Sequence, residues 1–363
     1  MQQIGKNQLS ILIIIFLIGS TPLFELGIKA KQDAWIAMTV AAAAGLLLTV
    51  MYIRIQKRAP EAGLAELYMM HFGKWIGGAV GLIHACWFAY ESMRNVRDVG
   101  ELTMMGLLTL TPKWIVMLLI LSVSAYTVSK GLEVFVRIVQ LLFPVAALSY
   151  LFVILLLLIS RLPDISRLQP VLENGIAPVM KAAFPDLLSF PFGQMITMLV
   201  FWKYVHEKKI IGRVSYWSQA GVSLFLILMN MLIMSVLGPE LSSLSALPLL
   251  EVVQLIRLAN ILERLDVIVT LLLFIGLYVK MTALYMASVF TFSAVTGIPY
   301  RHCVMPIALV IYASSFLEAN NTYHIWIGLD VTLKIVPLLQ VALPLLMLAV
   351  GIRKKYKDAK IAV

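Results

Sequence analysis

"IGSTPLFELG", residues 18–27, interrupts an apolar run that begins "LSILIIIFL" at residues 9–17. That run is the start of a membrane helix, yet near its midpoint it acquires a glycine, two hydroxyls, a proline and a carboxylate. Pro22 has no N–H to offer the carbonyl of Ile18, and its ring crowds that turn. Gly19 lacks a Cβ and tolerates unwinding. Ser20 and Thr21 bring hydroxyls to the place where backbone groups are freed. In lipid, irregular backbone persists only where protein, water or ligand satisfies it. Taken alone, Pro22 reads first as a kink healed by neighbouring helices.

The rest of the chain sets the context. Of 363 residues, 61% are hydrophobic and 13% charged, and the mean hydropathy is +0.93. A soluble domain carries about 25% charged residues, so the chain is expected to be an all-α integral membrane protein. Ten spans are read at roughly 9–28, 34–53, 75–107, 113–129, 133–160, 183–202, 213–238, 264–295, 301–318 and 332–352, each near the length that crosses a bilayer. The first run is too long, and lacks the small-residue cleavage site, for a signal peptide, so it is expected to stay in the mature protein. With the N-terminus inside, 17 of the 29 Lys and Arg residues fall on the inner face, 11 lie outside or at the outer rim, and Lys280 is mid-span. That bias places both termini in the cytoplasm. The net charge of +10 therefore reads as membrane topology and not as a nucleic-acid surface. Cys86 and Cys303 lie in or beside spans and look unpaired, and no metal-ligand spacing, P-loop or nucleophile elbow is present.

Two segments between spans are amphipathic. Residues 60–71 lie beside the inner face, and "EVVQLIRLANILER", 251–264, sets Glu251, Gln254 and Arg257 opposite apolar residues. The latter suits a helix lying on the outer surface or one capping the bundle.

A second interruption changes the reading of the first. Span six, "FPDLLSFPFGQMITMLVFW" (184–202), carries Pro191 and Gly193 mid-span between Phe190, Phe192 and Gln194. Paired Gly/Pro-interrupted segments at corresponding places in two halves point to a midplane binding site. A freed helix N-terminus offers N–H groups and a positive dipole end to an anion, and freed carbonyls suit an ammonium or a cation. Together they favour a zwitterion such as an amino acid, although a sugar can use the same groups. The candidate ligand set is Gly19, Ser20 and Thr21 from span one with Phe190, Gly193 and Gln194 from span six. Tyr90 and Tyr278 are candidate side walls.

Ten spans in two halves of five, with the first and sixth discontinuous, resemble the leucine-transporter-like inverted repeat of the amino acid–polyamine–organocation superfamily. The stretches "RDVGELTMMGLLTLTPKW" (97–114), "YTVSKGLEVFVRIVQLLFP" (126–144) and "LQPVLENGIAPVMKAAFPDLLSFPFGQM" (168–195) narrow the match. They resemble the permease-like B subunit of spore germinant receptors, most specifically in Gly131-Leu132-Glu133 with Arg137, in Thr111-Pro112 and in Phe-Pro-Phe-Gly of span six. The resemblance implies one transmembrane domain over residues 1–363. Its first repeat is about 9–160, its linker 161–181, its second repeat about 182–352, and its basic cytoplasmic tail 353–363. It also implies a spore inner-membrane protein that binds a nutrient germinant and acts with an A-type membrane subunit and a C-type lipoprotein, without a cofactor. The family pattern has a glutamate after the span-six glycine; Gln194 here keeps hydrogen bonding and loses the charge.

Ionisable groups within spans are costly and face a cavity or one another. In "YESMRNVRDVGE", residues 90–101, the spacing sets Glu91, Arg94, Asp98 and Glu101 near one helical face, where opposite charges pair; Arg97 completes the cluster. It reads either as a hydrated vestibule or as an ion-pair network at the rim. Lys280 lies too deep in span eight to reach an interface by snorkelling. It is expected beside the freed carbonyls of Gly19 or Ser20, as a fixed positive charge or a buried structural salt bridge, with Glu25 its possible partner. His84, His206, His71, His302 and His324 read as satisfied or solvated histidines. Three functions are open: a germinant-sensing receptor subunit, a proton- or cation-coupled amino acid permease, or a structural or ion-conducting component. No nucleophile–base or metal constellation supports an enzyme.

Overall fold

The computed structural model describes residues 3–106, 110–245, 247–256 and 265–352. Helix α1 (Lys6–Ile18) stops where the sequence requires it to. The Gly19 N–H still bonds the Ile15 carbonyl at 2.7 Å, but its φ of 14° and ψ of −103° leave the helical region. Pro22 then sits inside a single 3₁₀ turn, Thr21–Leu23, and Gly27, left-handed at φ 82°, leads into a second one, Ile28–Asp33. The second half of span one is thus two short turns and not a helix.

Helix α2 (Ala34–Arg58) returns through the bundle with Ala37, Ala41, Ala42 and Gly45 buried. Small residues let helices approach closely in membranes. A Cβ on Gly45 would come within 3.0 Å of the Phe192 ring, so this glycine lets α2 lie against the second break. Residues 60–71 contribute α3 (Leu64–Phe72), which packs under α4 (Lys74–Gly106) with Leu64, Leu67, Tyr68 and Met70 buried. Helices α5 (Lys113–Lys130) and α6 (Leu132–Ile159) complete the first half.

Span six begins at α7 (Ile176–Ala182), continues through a π-helical turn, Ala183–Leu187, and breaks at Phe190 and Pro191. Beyond the break it resumes as a 3₁₀ turn, Phe192–Thr197, and α8 (Met198–Phe201). Then follow α9 (Ile211–Leu244), α10 (Pro248–Gln254), α11 (Leu265–Thr296) and α12 (Tyr300–Ser314). The chain ends in α13 (Asn321–Trp326), α14 (Leu333–Ile335) and α15 (Leu343–Val350), joined by π-helical turns at Ile327–Thr332 and Leu338–Ala342.

Every residue from 276 to 291 of α11 is buried, as expected of a helix that is apolar all round. It is the central post, packed along α4 and touching α1, α5 and α6. Eight helical stretches among the described residues are long and apolar enough to cross a membrane. Of the other two expected spans, α4 has 33 residues but holds the charged cluster, and α12 has only 15. At the start of the chain, Ile4 pairs with Val205 as an isolated parallel bridge. The Ile4 N–H donates to the Tyr204 carbonyl at 3.0 Å and His206 N–H to the Ile4 carbonyl at 3.1 Å, so the start of span one is tied to the end of span six. Of the stretch 251–264, α10 covers the first four residues and buries Leu249, Leu250, Val252 and Val253 against α9 and α11. Arg257 and the basic tail 353–363 lie outside the described residues.

Candidate functional site

The two breaks meet across a narrow cavity of about 30 Å³. Ser20 and Phe24 line it from span one, Ser189, Phe190 and Gln194 from span six, and Glu91, Arg94, Asn95 and Asp98 from α4. Gly328, Leu333 and Gln340 close it from the last segment. Three of the six first-choice ligand residues, Ser20, Phe190 and Gln194, therefore contribute to the cavity wall.

The other three act behind that wall. A Cβ on Gly193 would stand 2.8 Å from the Gln340 amide carbon, so this glycine admits Gln340 to the cavity. There Gln340 Nε2 donates to the Ser189 carbonyl at 3.2 Å, while Tyr52 donates to the Gln340 carbonyl at 2.6 Å. Gly19 faces away from the cavity and packs against the Lys280 stem, where a Cβ would come within 2.7 Å of Cδ. Thr21 donates its hydroxyl to the Leu17 carbonyl at 2.6 Å and satisfies the end of α1.

Lys280 does lie against the first break, fully buried, but its pairing with Glu25 is corrected by the structure. Asn230 of α9 donates to Glu25 Oε1 at 3.0 Å and to the Leu26 carbonyl at 3.0 Å, which draws Glu25 to the far side of the break. Lys280 Nζ instead stands over the Phe190 ring, 4.3 Å from its centroid, with the Phe16 ring at 5.8 Å. It has no hydrogen-bond partner among the described residues. The cation thus rests on the back of a ring whose front lines the cavity, a favourable desolvated cation–π placement.

Gln194 Nε2 donates to Glu91 Oε2 at 3.0 Å, joining the second break to α4. Above that bond the charges of α4 form a buried network. Asp98 Oδ1 is 2.8 Å from His324 Nε2, and Glu318 faces His324 Nδ1. Both ring nitrogens thus face carboxylates, as in an imidazolium donating twice. Arg94 donates to the His324 carbonyl at 2.7 Å and lies 3.7 Å from Glu318. Arg97 donates to the carbonyls of Ser315 and Glu318 at 2.9 and 2.6 Å and approaches Glu101 at 3.7 Å, and Lys113 meets Glu101 at 2.6 Å. The distances describe an ion-pair network that fastens α4 to residues 315–324.

Gly328 is part of this arrangement, because a Cβ there would stand 2.7 Å from Arg94 Nη1. Tyr90 bonds Thr332 at 3.1 Å beside the cavity without lining it. Tyr278 bonds Thr127 of α5 at 2.8 Å and also lies off the cavity. Tyr278→Phe is expected to leave ligand affinity unchanged and to cost about 0.5–1.5 kcal/mol of stability; paired binding and melting curves check both.

Sequence reasoning passed over Gln340, Gly328, Asn95, Glu318 and the bridging role of His324. Gln340 carried one usable signal, an amide in an apolar run between Pro337 and Pro344.

The profile of the family described as spore germination protein matches residues 3–323. Spore germination protein KB of Bacillus subtilis (strain 168) is 32% identical over 361 residues, covering 99% of this chain and 97% of that protein. Spore germination protein YndE of the same organism is 24% identical, covering 88% of this chain and 87% of that protein. Among solved structures, the nucleobase-cation-symport-1 family transporter Mhp1, closed with bromovinylhydantoin bound, superposes with a TM-score of 0.67 at 13% identity, covering 93% of this chain and 76% of that one. MhsT in complex with L-phenylalanine gives 0.66 at 12% identity, covering 96% and 98%. These two likenesses give a leucine-transporter-like fold.

Proposed function

The chain belongs to the spore germination protein family, and on that footing we propose that it is the B-type, germinant-sensing membrane subunit of a spore nutrient receptor. The observation that carries the reading is the convergence of Ser20, Phe190 and Gln194, from both broken segments, on one polar cavity. Three amide oxygens around it, on Asn95, Gln194 and Gln340, have no donor among the described residues. Buried acceptors of that kind are costly until a partner supplies the hydrogen. A ligand bearing an ammonium group supplies several such donors, which supports an amino acid.

A cavity near 30 Å³ holds about one water. A nutrient must therefore displace Phe24 or Phe190, whose rings meet edge-on at 6.2 Å, and so binds a more open state than this one. A ligand that prefers one state shifts the equilibrium towards it, which is what a receptor subunit requires. In this reading the A-type membrane subunit and the C-type lipoprotein read the shift at the spore inner membrane, with both termini in the cytoplasm. The transporter fold of Mhp1 and MhsT favours a second reading, a cation-coupled amino acid permease; uptake into proteoliposomes by this chain alone would establish it.

The test is a binding screen of the purified protein across amino acids, sugars and nucleosides, repeated with Gly19→Leu. Leucine there drives into Lys280 and displaces Phe190 behind it. The expected result is amino-acid binding by the native chain, weakened about tenfold or more by Gly19→Leu, a loss of roughly 1.4 kcal/mol. Equal affinity in the two proteins, with both inserted and folded, would count against the site.

A further inference from the structure

On the opposite side of the first break lies a second hollow of a different kind. It encloses about 410 Å³ between α1, α6, α9 and α11. Ile14, Ile18, Phe143, Val222, Phe225 and Leu272 supply its walls, no charged residue lines it, and Tyr150 is its sole hydroxyl-bearing side chain. Gly19 and Gly276, both buried, belong to its inner lining. There α11 touches the break directly, since a Cβ on Gly276 would collide with the Gly19 carbonyl. The mouth is framed by Ala147 and Leu151 of α6 and Gly221 of α9, all exposed. Both helices are membrane spans, so the hollow is continuous with the lipid-facing surface of the bundle.

Its occupant follows from that chemistry. Apolar cavities stay dry, and one of about 150 Å³ already takes up benzene. This one is more than twice that size and opens onto hydrocarbon. Leaving it empty forfeits dispersion contacts along every wall. We propose that the groove is a binding site for one acyl chain of a bilayer phospholipid, whose inner end rests on the Gly19–Gly276 contact. The first break then has a polar cavity on one side and a lipid tail on the other, and the tail acts as a wedge behind the helix that shapes the ligand site. The lipid site stands whether or not the polar cavity takes a germinant.

Gly221 provides the probe. Its Cβ position has no neighbour within 4 Å, so a side chain can start there freely, and Gly221→Trp sets a large ring at the mouth of the groove. Ala147→Phe fills it from the other wall. The full chain would be reconstituted in vesicles of phosphatidylcholine carrying a diazirine midway along one tail, photolysed, and the adducts mapped by mass spectrometry. Labelling is expected to concentrate on residues 143–154 and 221–225. Each variant should cut it about tenfold, because its ring takes the volume that the tail would fill, while labelling at the lipid-facing Leu118 and Leu119 of α5 is unchanged. Unchanged labelling in a variant that inserts, or label spread evenly over all lipid-facing residues of the native chain, would overturn the proposal. Because the readout is an adduct and not a ligand response, its failure says nothing against the nutrient site.

Discussion

Replacing Arg94 by alanine is expected to destabilise the protein by about 3–5 kcal/mol, the cost of removing one partner from a buried ionic cluster. Only 7% of the Arg94 side chain is exposed, and it faces Glu318 and the His324 carbonyl while packing on Gly328. Without it, Glu318 keeps Arg97 and His324 as ion-pair partners and Asp98 keeps His324, while the Glu91 carboxylate keeps the Gln194 amide. Arg94→Lys should recover only part of the loss, because an ammonium lacks the planar fork that serves two acceptors. Thermal or denaturant unfolding in a fixed detergent measures it. In the Arg94→Ala, Glu318→Ala cycle the two losses should be clearly less than additive. A single-variant loss under about 1 kcal/mol would mean that the network is solvated and behaves like a surface pair.

The second large effect separates stability from function. Lys280→Met is expected to keep or raise the melting temperature and to weaken ligand binding about tenfold or more, roughly 1.4 kcal/mol. A buried amine without a hydrogen-bond partner is a net cost to folding. Methionine has a similar unbranched reach and packs well on aromatic rings, so Phe16 and Phe190 keep a neighbour. What disappears is the positive charge behind the Phe190 wall. Falling binding with steady stability would make Lys280 a positioning residue for the ligand site. Unchanged affinity would leave it a packing element alone.

Much of this was legible because the deciding residues act through their own backbones. Gly19 and Pro22 together free the backbone of the first run, and α1 stops at Ile18 accordingly. Pro191 and Gly193 do the same for span six, and the apolar lengths gave most helix limits to within a few residues. What stayed hidden depends on partners distant in the chain. Lys280 and Glu25 looked like a pair because they are opposite charges at similar depth, but Asn230 holds the carboxylate and the adjoining Leu26 carbonyl, one bond to each, on the other side of the break. Gln340 reaches the cavity only because Gly193 lacks a side chain and a π-helical turn swings residues 338–342 inward. Neither condition leaves a periodic trace in the sequence. Tyr278 failed for a plainer reason: helical depth alone does not say which neighbour a hydroxyl will choose.

The pairing of Ile4 with Val205 has a mechanical consequence. Two backbone bonds yoke the start of span one to the end of span six, so neither tip can swing away from the bundle by itself. They travel as a single lever, or the clasp must first come undone. On the receptor reading proposed above, motion begun by a nutrient deep in the membrane would arrive at that end of the bundle on one handle, built around Ile4, where an adjoining protein could take hold of it.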